Sequence, residues 1–368
     1  MKNIISSAER IVIKLGTRVV IDKDGRFSSR NAERIAEAVE IARGRKKEII
    51  LVSSGAIGVA LSELGIKNKP VDLPSKQALA AIGQKSLMHF YKNIFMKRGI
   101  ITGQMLVTRA DFSSRLPFIN MRNTFNALLK YKAVPIINEN DSLSTEEIRM
   151  GDNDNLAAHI ANITNADLLI ILTDIDGLYD RNPSAKDAEI VRVVDKINKN
   201  IFDMASGKGS SVSVGGMKTK IEAALNVTSA GCAAIIANGN SDDITAMLGG
   251  EARGTLFRPS EKRTSGKIRW MRLSSRPRGT IKINKGCFEA LLKGRSILPV
   301  GITGIEGNFS RGDTVKIFFR KKIGRGLVNY SSSQLRKIKG KRTPEIKKSL
   351  GEKPYDEAVH RNNTFLIK

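Results

Sequence analysis

Cysteine, histidine and aromatic residues are all scarce in this chain of 368 residues. Its two cysteines, Cys232 and Cys287, lie in separate halves among apolar neighbours. They read as buried free thiols, which exclude a disulfide framework and suit a reducing cytoplasm. His89, His159 and His360 show no ligand spacing, so no metal cage of protein side chains is expected. Aromatics make up only 5% of the chain, which leaves few platforms for stacking nucleic-acid bases. Apolar runs such as Leu168–Leu172 fall far short of the roughly 20 residues that span a bilayer. Met1–Arg10 lacks the apolar core of a secretory signal. A cytoplasmic protein without membrane contact is expected. The sequence also has no GxxxxGK[ST] loop and no GxGxxG after a strand, so the familiar nucleotide loops are missing.

Acids are scarce in one part only. Residues 261–368 hold 27 Lys and Arg against 8 Asp and Glu, a net +19, whereas residues 1–260 hold 35 against 28, a net +7. A Lys-rich proteome raises the charge of every protein, but it would raise both parts alike. The asymmetry leaves open a polyanion or an acidic surface as partner of the C-terminal part.

The apolar fraction of 41% is ordinary, and the length suits two domains. Up to residue 260, short apolar strands alternate with amphipathic stretches. Strands are expected at Ile11–Leu15, Glu48–Val52, Ile101–Val107, Ala133–Asn138, Leu168–Thr173 and Ala233–Ala237. Helices are expected near Ser28–Arg43, Ala56–Leu64, Lys76–Lys97, Arg115–Lys130, Asn155–Asn162 and Lys218–Ala230. Strands apolar on both faces, alternating with helices, predict an α/β sandwich with a mainly parallel sheet. Ligands in such folds bind at the carboxyl ends of the strands. Residues 261–278 are basic and rich in Ser and Pro, as in a linker. From 279 to 368 a small β-rich domain is expected, with strands at Gly279–Asn284, Ile302–Glu306, Thr314–Phe319 and Gly326–Tyr330.

The unusual polar residues fall just after the predicted strands. Asn138-Glu139-Asn140-Asp141 and Gly151-Asp152-Asn153-Asp154-Asn155 crowd acids and amides ahead of an apolar helical run. Capping a helix explains one or two of them, and a polar ligand site explains the rest. Lys14 interrupts an apolar strand before Gly16-Thr17. It either reaches water from an edge strand or meets an anion on a central one. Ser53-Ser54-Gly55-Ala56 is a strand-to-helix turn whose small residues leave N–H groups free for an anion, or merely allow close packing. Thr173-Asp174-Ile175-Asp176-Gly177 reads equally as a nucleotide contact and as a turn. Val214-Gly215-Gly216-Met217-Lys218-Thr219-Lys220 puts cations where a helix dipole disfavours them, a conflict that an anionic ligand resolves. Two glycine-rich anion sites and two buried-type lysines suit phosphoryl transfer, which relies on positioned charge. An ionised carboxylate as acceptor needs no general base.

These residues resemble the glutamate 5-kinase family. Lys14-Leu15-Gly16-Thr17, Ser54-Gly55-Ala56-Ile57, Gly103-Gln104-Met105-Leu106, Asn138–Asp141, Gly151–Asn155 and Gly215-Gly216-Met217 occur in its order and spacing. Gly307-Asn308-Phe309-Ser310-Arg311-Gly312 matches the PUA domain that many members carry. The resemblance implies an amino acid kinase three-layer sandwich over residues 1–260 and a PUA domain over 279–368. It implies ATP-dependent phosphorylation of the γ-carboxylate of L-glutamate, the first step of proline synthesis. Lys14 and Lys220 would then stabilise the transferring phosphoryl group, with Asp154 orienting both. Ser54, Gly55, Asp141 and Asn153 would hold glutamate, with Asp152 nearby. Lys14, Gly16, Thr173, Asp174 and the segment Val214, Gly215, Gly216, Met217, Lys218, Thr219 and Lys220 would hold ATP, with Mg²⁺ carried mainly by the phosphates. Val214 stands where many relatives have Thr or Ser. Proline as feedback inhibitor follows from the resemblance only; a homo-oligomer (dimer or tetramer) is also expected, and RNA contact through the PUA domain follows from the resemblance together with the +19 charge of residues 261–368. Two alternatives stay open: a kinase for N-acetylglutamate or aspartate, and an RNA-binding regulatory protein with an inactive kinase domain.

Overall fold

The computed structural model describes residues 1–108, 111–112, 115–143, 152–206, 214–241, 244–248, 251, 253–260, 277–351 and 355–366. Most of the expected linker, residues 261–276, lies outside the described residues, as does Gly151. Two compact units are present, one built on an eight-stranded sheet and one on a five-stranded sheet.

In the first unit the strands are β1 (Arg10–Leu15), β2 (Glu48–Ser53), β3 (Thr102–Val107), β4 (Val134–Glu139), β5 (Leu168–Thr173), β6 (Val193–Val194), β7 (Ala233–Asn238) and β8 (Thr255–Phe257). Their order across the sheet is β3-β4-β2-β1-β5-β7-β8-β6. Every pairing is parallel except β7 with β8. The six strands expected from the sequence all form, with ends shifted by at most one residue. β6 and β8, of two and three residues, are too short to stand out as apolar runs.

Alternation along β1 decides which way Lys14 points. Ile11, Ile13 and Leu15 face a core shared with the helix Ser29–Gly44 and with Tyr91 and Phe95 of the helix Leu73–Met96. Val12 and Lys14 point to the opposite face, where the helices Asp152–Ile163 and Val214–Thr228 pack. Helices therefore cover both faces, giving three layers. β1 lies between β2 and β5, so the edge-strand alternative for Lys14 is removed. The chain leaves β1 toward β2 and later returns to β5 on its other side, which makes the carboxyl end of β1 a switch point.

The second unit carries β9 (Gly279–Ile283), β10 (Ile302–Gly307), β11 (Thr314–Phe319), β12 (Lys321–Leu327) and β13 (Thr364–Leu366), in the order β10-β9-β11-β12-β13. Its core gathers Ile281, Val315, Ile317, Tyr330 and Leu335. The fourth strand expected here, Gly326–Tyr330, is displaced: β12 begins at Lys321, and its charged start hides it from a hydrophobic pattern. Helices at Lys285–Leu292, Ser332–Ile338 and Thr343–Leu350 add to the β-rich plan.

Candidate active site

Three loops at the carboxyl ends of β1, β2 and β5 meet the first turns of two helices. β1 stops at Leu15, and the Gly16 N–H donates to Leu172 O of β5 at 3.0 Å. After β2 the Ser54 N–H donates to Leu15 O at 3.2 Å. Gly55 then turns with φ +103° into the helix Ala56–Glu63. A Cβ on Gly55 would lie 2.8 Å from Val20 Cγ1, so both the turn and the packing call for glycine. Gly83 lets the long helix Leu73–Met96 press on this turn, since a Cβ there would fall 1.8 Å from Ala56 O.

Asp154 is the third residue of the helix Asp152–Ile163, where the helix dipole favours an acid. The helix starts three residues earlier than its apolar pattern suggests, so Asn155 lies inside the first turn and does not begin it. Asp154 is fully buried and holds two lysines. Its Oδ1 is 2.7 Å from Lys14 Nζ, an ion pair whose direction is poor for a hydrogen bond. Its Oδ2 accepts from Lys220 Nζ at 3.1 Å and from Thr219 Oγ1 at 2.9 Å. Lys220 Nζ also donates to Gly216 O at 3.0 Å. Burial pushes the Asp154 carboxyl up, but the Lys14 and Lys220 ammonium groups reverse this and hold it below the usual carboxylate range. Burial pushes Lys14 below the ordinary lysine range, against the opposing pull of Asp154.

The helix Val214–Thr228 begins at Val214, so Gly215 and Gly216 form its first turn instead of preceding it. A Cβ on Gly216 would meet nothing within 4 Å. Packing therefore does not require glycine at a position where it costs a helix about 1 kcal/mol. Close approach of a ligand to the N–H groups of that turn gives a reason. The two lysines of this segment separate: Lys220 is buried on Asp154, while Lys218 is exposed. Met217 is buried beside them in sequence.

A second cluster forms around Asn153. Its Nδ2 donates toward Ser53 O at 3.1 Å, Ser54 Oγ at 2.9 Å and Asn138 Oδ1 at 3.1 Å. Asp141 lies half-buried in the turn after β4, whereas the side chain of Asp152 is outside the described residues. At the end of β5 the Thr173 hydroxyl donates to Asp174 Oδ1 at 3.1 Å, and Arg18 Nη1 lies 2.6 Å from Asp174 Oδ2. Burial pushes Asp174 up, but Arg18 and Thr173 bring it below the usual range. A cavity of about 280 Å³ opens further along the same strand ends, against Asp176, Arg192, Asn238 and Arg253. Neither Arg18, Gln84 nor this cavity was singled out from the sequence. Arg18 follows the Lys14–Thr17 motif directly, which was a usable signal. Gln84 meets its partner Asn138 across 54 residues, with no local signal.

Asp154 gives both oxygens to lysines and Asp174 is engaged by Arg18, so neither offers a free ligand to a resident cation.

Residues 9–238 match the amino acid kinase family, and residues 279–350 match the PUA domain. The chain is similar to the glutamate 5-kinase of Caldanaerobacter subterraneus, 42% identical over 364 residues and 98% of each chain. It is also similar to that of Methanococcoides burtonii, 43% identical over 372 residues, covering 100% of this chain and 99% of the other. A carbamate kinase from Giardia lamblia, solved with AMP-PNP bound, shares the fold at a TM-score of 0.50 and 16% identity, over 69% of this chain and 100% of that one.

Proposed function

The chain belongs to the amino acid kinase family, among its glutamate 5-kinases, and on that premise we propose that it phosphorylates the γ-carboxylate of L-glutamate with ATP. The product is γ-glutamyl phosphate, at the entry to proline synthesis. The observation that supports this mechanism is the pair of buried lysines, Lys14 and Lys220, sharing the single carboxylate of Asp154. Two ammonium groups on one carboxylate leave a positive charge in a buried place, which is costly unless an anion joins them.

A carboxylate oxygen of glutamate attacks the γ-phosphorus. The new O–P bond forms as the bond to the bridging oxygen breaks, and ADP leaves with that electron pair. No proton moves, because the acceptor is already ionised at neutral pH. Lys14 and Lys220 stabilise the negative charge spread over the transferring group and the leaving oxygen. Asp154 orients both. The first turn Val214–Met217 supplies N–H groups to the phosphates, and Thr173 and Asp174 hold the nucleotide beside Gly16. Ser54, Asn153 and Asp141 hold glutamate. Steady-state turnover with glutamate, N-acetylglutamate and aspartate tests this reading. Turnover of glutamate well above the other two is expected, and no turnover of glutamate would overturn it.

The domain limits we assign are 1–260 for the kinase, 261–278 for a linker and 279–368 for the PUA domain. The same premise carries a cytoplasmic location, a dimer or tetramer, and proline as inhibitor. Light scattering and inhibition by added proline test the last two. Among the described residues no helix is long and apolar enough to cross a membrane.

One observation favours RNA as a second partner. On the five-stranded sheet Lys316 of β11 is directly opposite Arg325 of β12, with Lys322 close by. Burial, then Arg325 and Lys316, push Lys322 below the ordinary lysine range. Like charges facing each other across strands are unfavourable, and a phosphate backbone would relieve them.

A further inference from the structure

Amide side chains come from three separate elements: Gln84 from the helix Leu73–Met96, Asn138 from β4 and Asn153 from the helix Asp152–Ile163. The fold joins them end to end. Asn138 Nδ2 donates to Gln84 Oε1 at 2.8 Å, and Asn153 Nδ2 lies 3.1 Å from Asn138 Oδ1. The oxygen and nitrogen ends of an amide have nearly the same shape, so neighbours decide which way it points.

Two backbone groups decide here. The Glu139 N–H donates to the side chain of Asn138 at 2.9 Å, so the atom it meets must be oxygen. The carbonyl of Ser53 accepts from Asn153 at 3.1 Å, so the atom it meets must be nitrogen. With both of these amides fixed, the end of Gln84 that receives Asn138 Nδ2 has to be its oxygen. Hydrogen-bond donation therefore runs one way, from Asn153 to Asn138 to Gln84.

This direction sets what the outer end can recognise. Asn153 Nδ2 has two hydrogens and three acceptors around it, so it is committed to the protein. Its Oδ1 takes no hydrogen bond among the described residues, and it can only accept. Ser54 Oγ already accepts from Asn153 and keeps its own proton to give. An acceptor beside a donor matches an ammonium beside a carboxylate. An N-acylated acid offers one neutral N–H in place of the ammonium.

We propose that Gln84 and Asn138 are positioning residues that hold in place the Asn153 amide, which the Ser53 carbonyl orients with its oxygen toward the substrate, and so favour free α-amino acids over N-acylated ones. The inference rests on the assignment of Ser54 and Asn153 to glutamate made above.

The chain needs only an acceptor at position 84, which gives a sharp test on the full-length protein. Gln84→Glu keeps that acceptor, and Gln84→Met removes it. Gln84→Met should raise the KM for glutamate about tenfold, the scale of one hydrogen bond to a charged group. Its kcat and its KM for ATP should stay near the parent values, and its preference for glutamate over N-acetylglutamate should fall by a similar factor. Gln84→Glu should stay close to the parent in all of these. Asn138→Asp keeps the acceptor for Glu139 N–H and Asn153 Nδ2, and should also keep the preference. A Glu variant worse than the Met variant, or a Met variant with unchanged preference, would overturn the proposal. Asn153→Ala separates the two levels. If it leaves the KM for glutamate unchanged, the assignment of the glutamate site fails. If it raises that KM while Gln84→Met does not, only the positioning role fails.

Discussion

Lys14 Nζ lies 2.7 Å from Asp154 Oδ1, and both side chains are buried. A buried ion pair by itself is weak grounds for stability, because desolvation offsets the attraction. Here the pair is also unbalanced, since Lys220 shares the same carboxylate. An arrangement that serves stability alone would match the charges. This one carries an extra positive charge at the switch point of the sheet, where a phosphoryl group can neutralise it.

Asp154→Asn should therefore separate stability, binding and turnover. Removing the carboxylate strands two buried ammonium groups, a loss of about 3–5 kcal/mol by the usual cost of breaking a buried pair. Urea unfolding without ligand measures it. Turnover should fall by about 10²-fold or more, because the lysines lose their orientation. Nucleotide affinity, measured by calorimetry, should hold or tighten, since uncompensated cations favour an anion. Weakened nucleotide binding with normal stability would contradict this account.

Much of this site was legible in the sequence because its residues stand out locally. Lys14 breaks an apolar strand, and Asp154 and Lys220 sit in the first two turns of helices that open with Asp-Asn-Asp-Asn and Val-Gly-Gly. Leu168–Thr173 reads as a strand with its observed ends because it is apolar up to its last residue and buried on both faces. What was hidden depends on long-range placement. Gln84 looks like any exposed helix residue until the fold sets it against Asn138. Lys218 and Lys220 look alike in sequence, and only the rotation of the helix turns one inward. β12 starts with Lys321-Lys322, so its charges mask it.

The lysine on β1 should give activity and stability opposite responses to alkali. Burial, chiefly, holds Lys14 below its ordinary value of 10.5. The charged form is the one that stabilises the phosphoryl group, so kcat/KM, which reports groups of the free enzyme, should fall as pH rises through this depressed value. Between it and 10.5 the unfolded chain binds the proton that the folded chain has lost, so the contribution of Lys14 to stability should rise. Lys14→Arg, which does not titrate in this range, should move the alkaline limb of kcat/KM to higher pH at a lower maximum. A limb unmoved by that substitution would assign it to another group. At the acid end Asp154 acts in the usual sense for a depressed carboxyl. Its stabilisation is full above 3.8 and is lost as pH falls through its folded value.

Gly55 tests how tightly the Ser54 turn is held. With φ +103° and Val20 Cγ1 2.8 Å from the position of a Cβ, Gly55→Ala is strained by both conformation and contact. A stability loss of about 1–3 kcal/mol is expected. The KM for glutamate should rise more than the KM for ATP, because Ser54 is the neighbour that moves. Gly25 provides the control: it has φ +79° with nothing near a Cβ, so Gly25→Ala should cost stability without changing either KM.

The facing pair Lys316 and Arg325 makes the RNA reading testable without touching the kinase. If the β11–β12 face meets a phosphate backbone, binding to a short structured RNA should weaken steeply with salt. Replacing both Lys316 and Lys322 by Gln should lower the slope of log affinity against log salt by about two, near one for each phosphate no longer neutralised. Glutamate turnover should be unaffected. Without a polyanionic partner the same double variant should only relieve cross-strand repulsion, by roughly 0.2–1 kcal/mol for the facing pair. A gain in stability with no change in RNA affinity would decide for a solvated basic surface. A loss of affinity confined to low salt would decide for binding to the phosphate backbone.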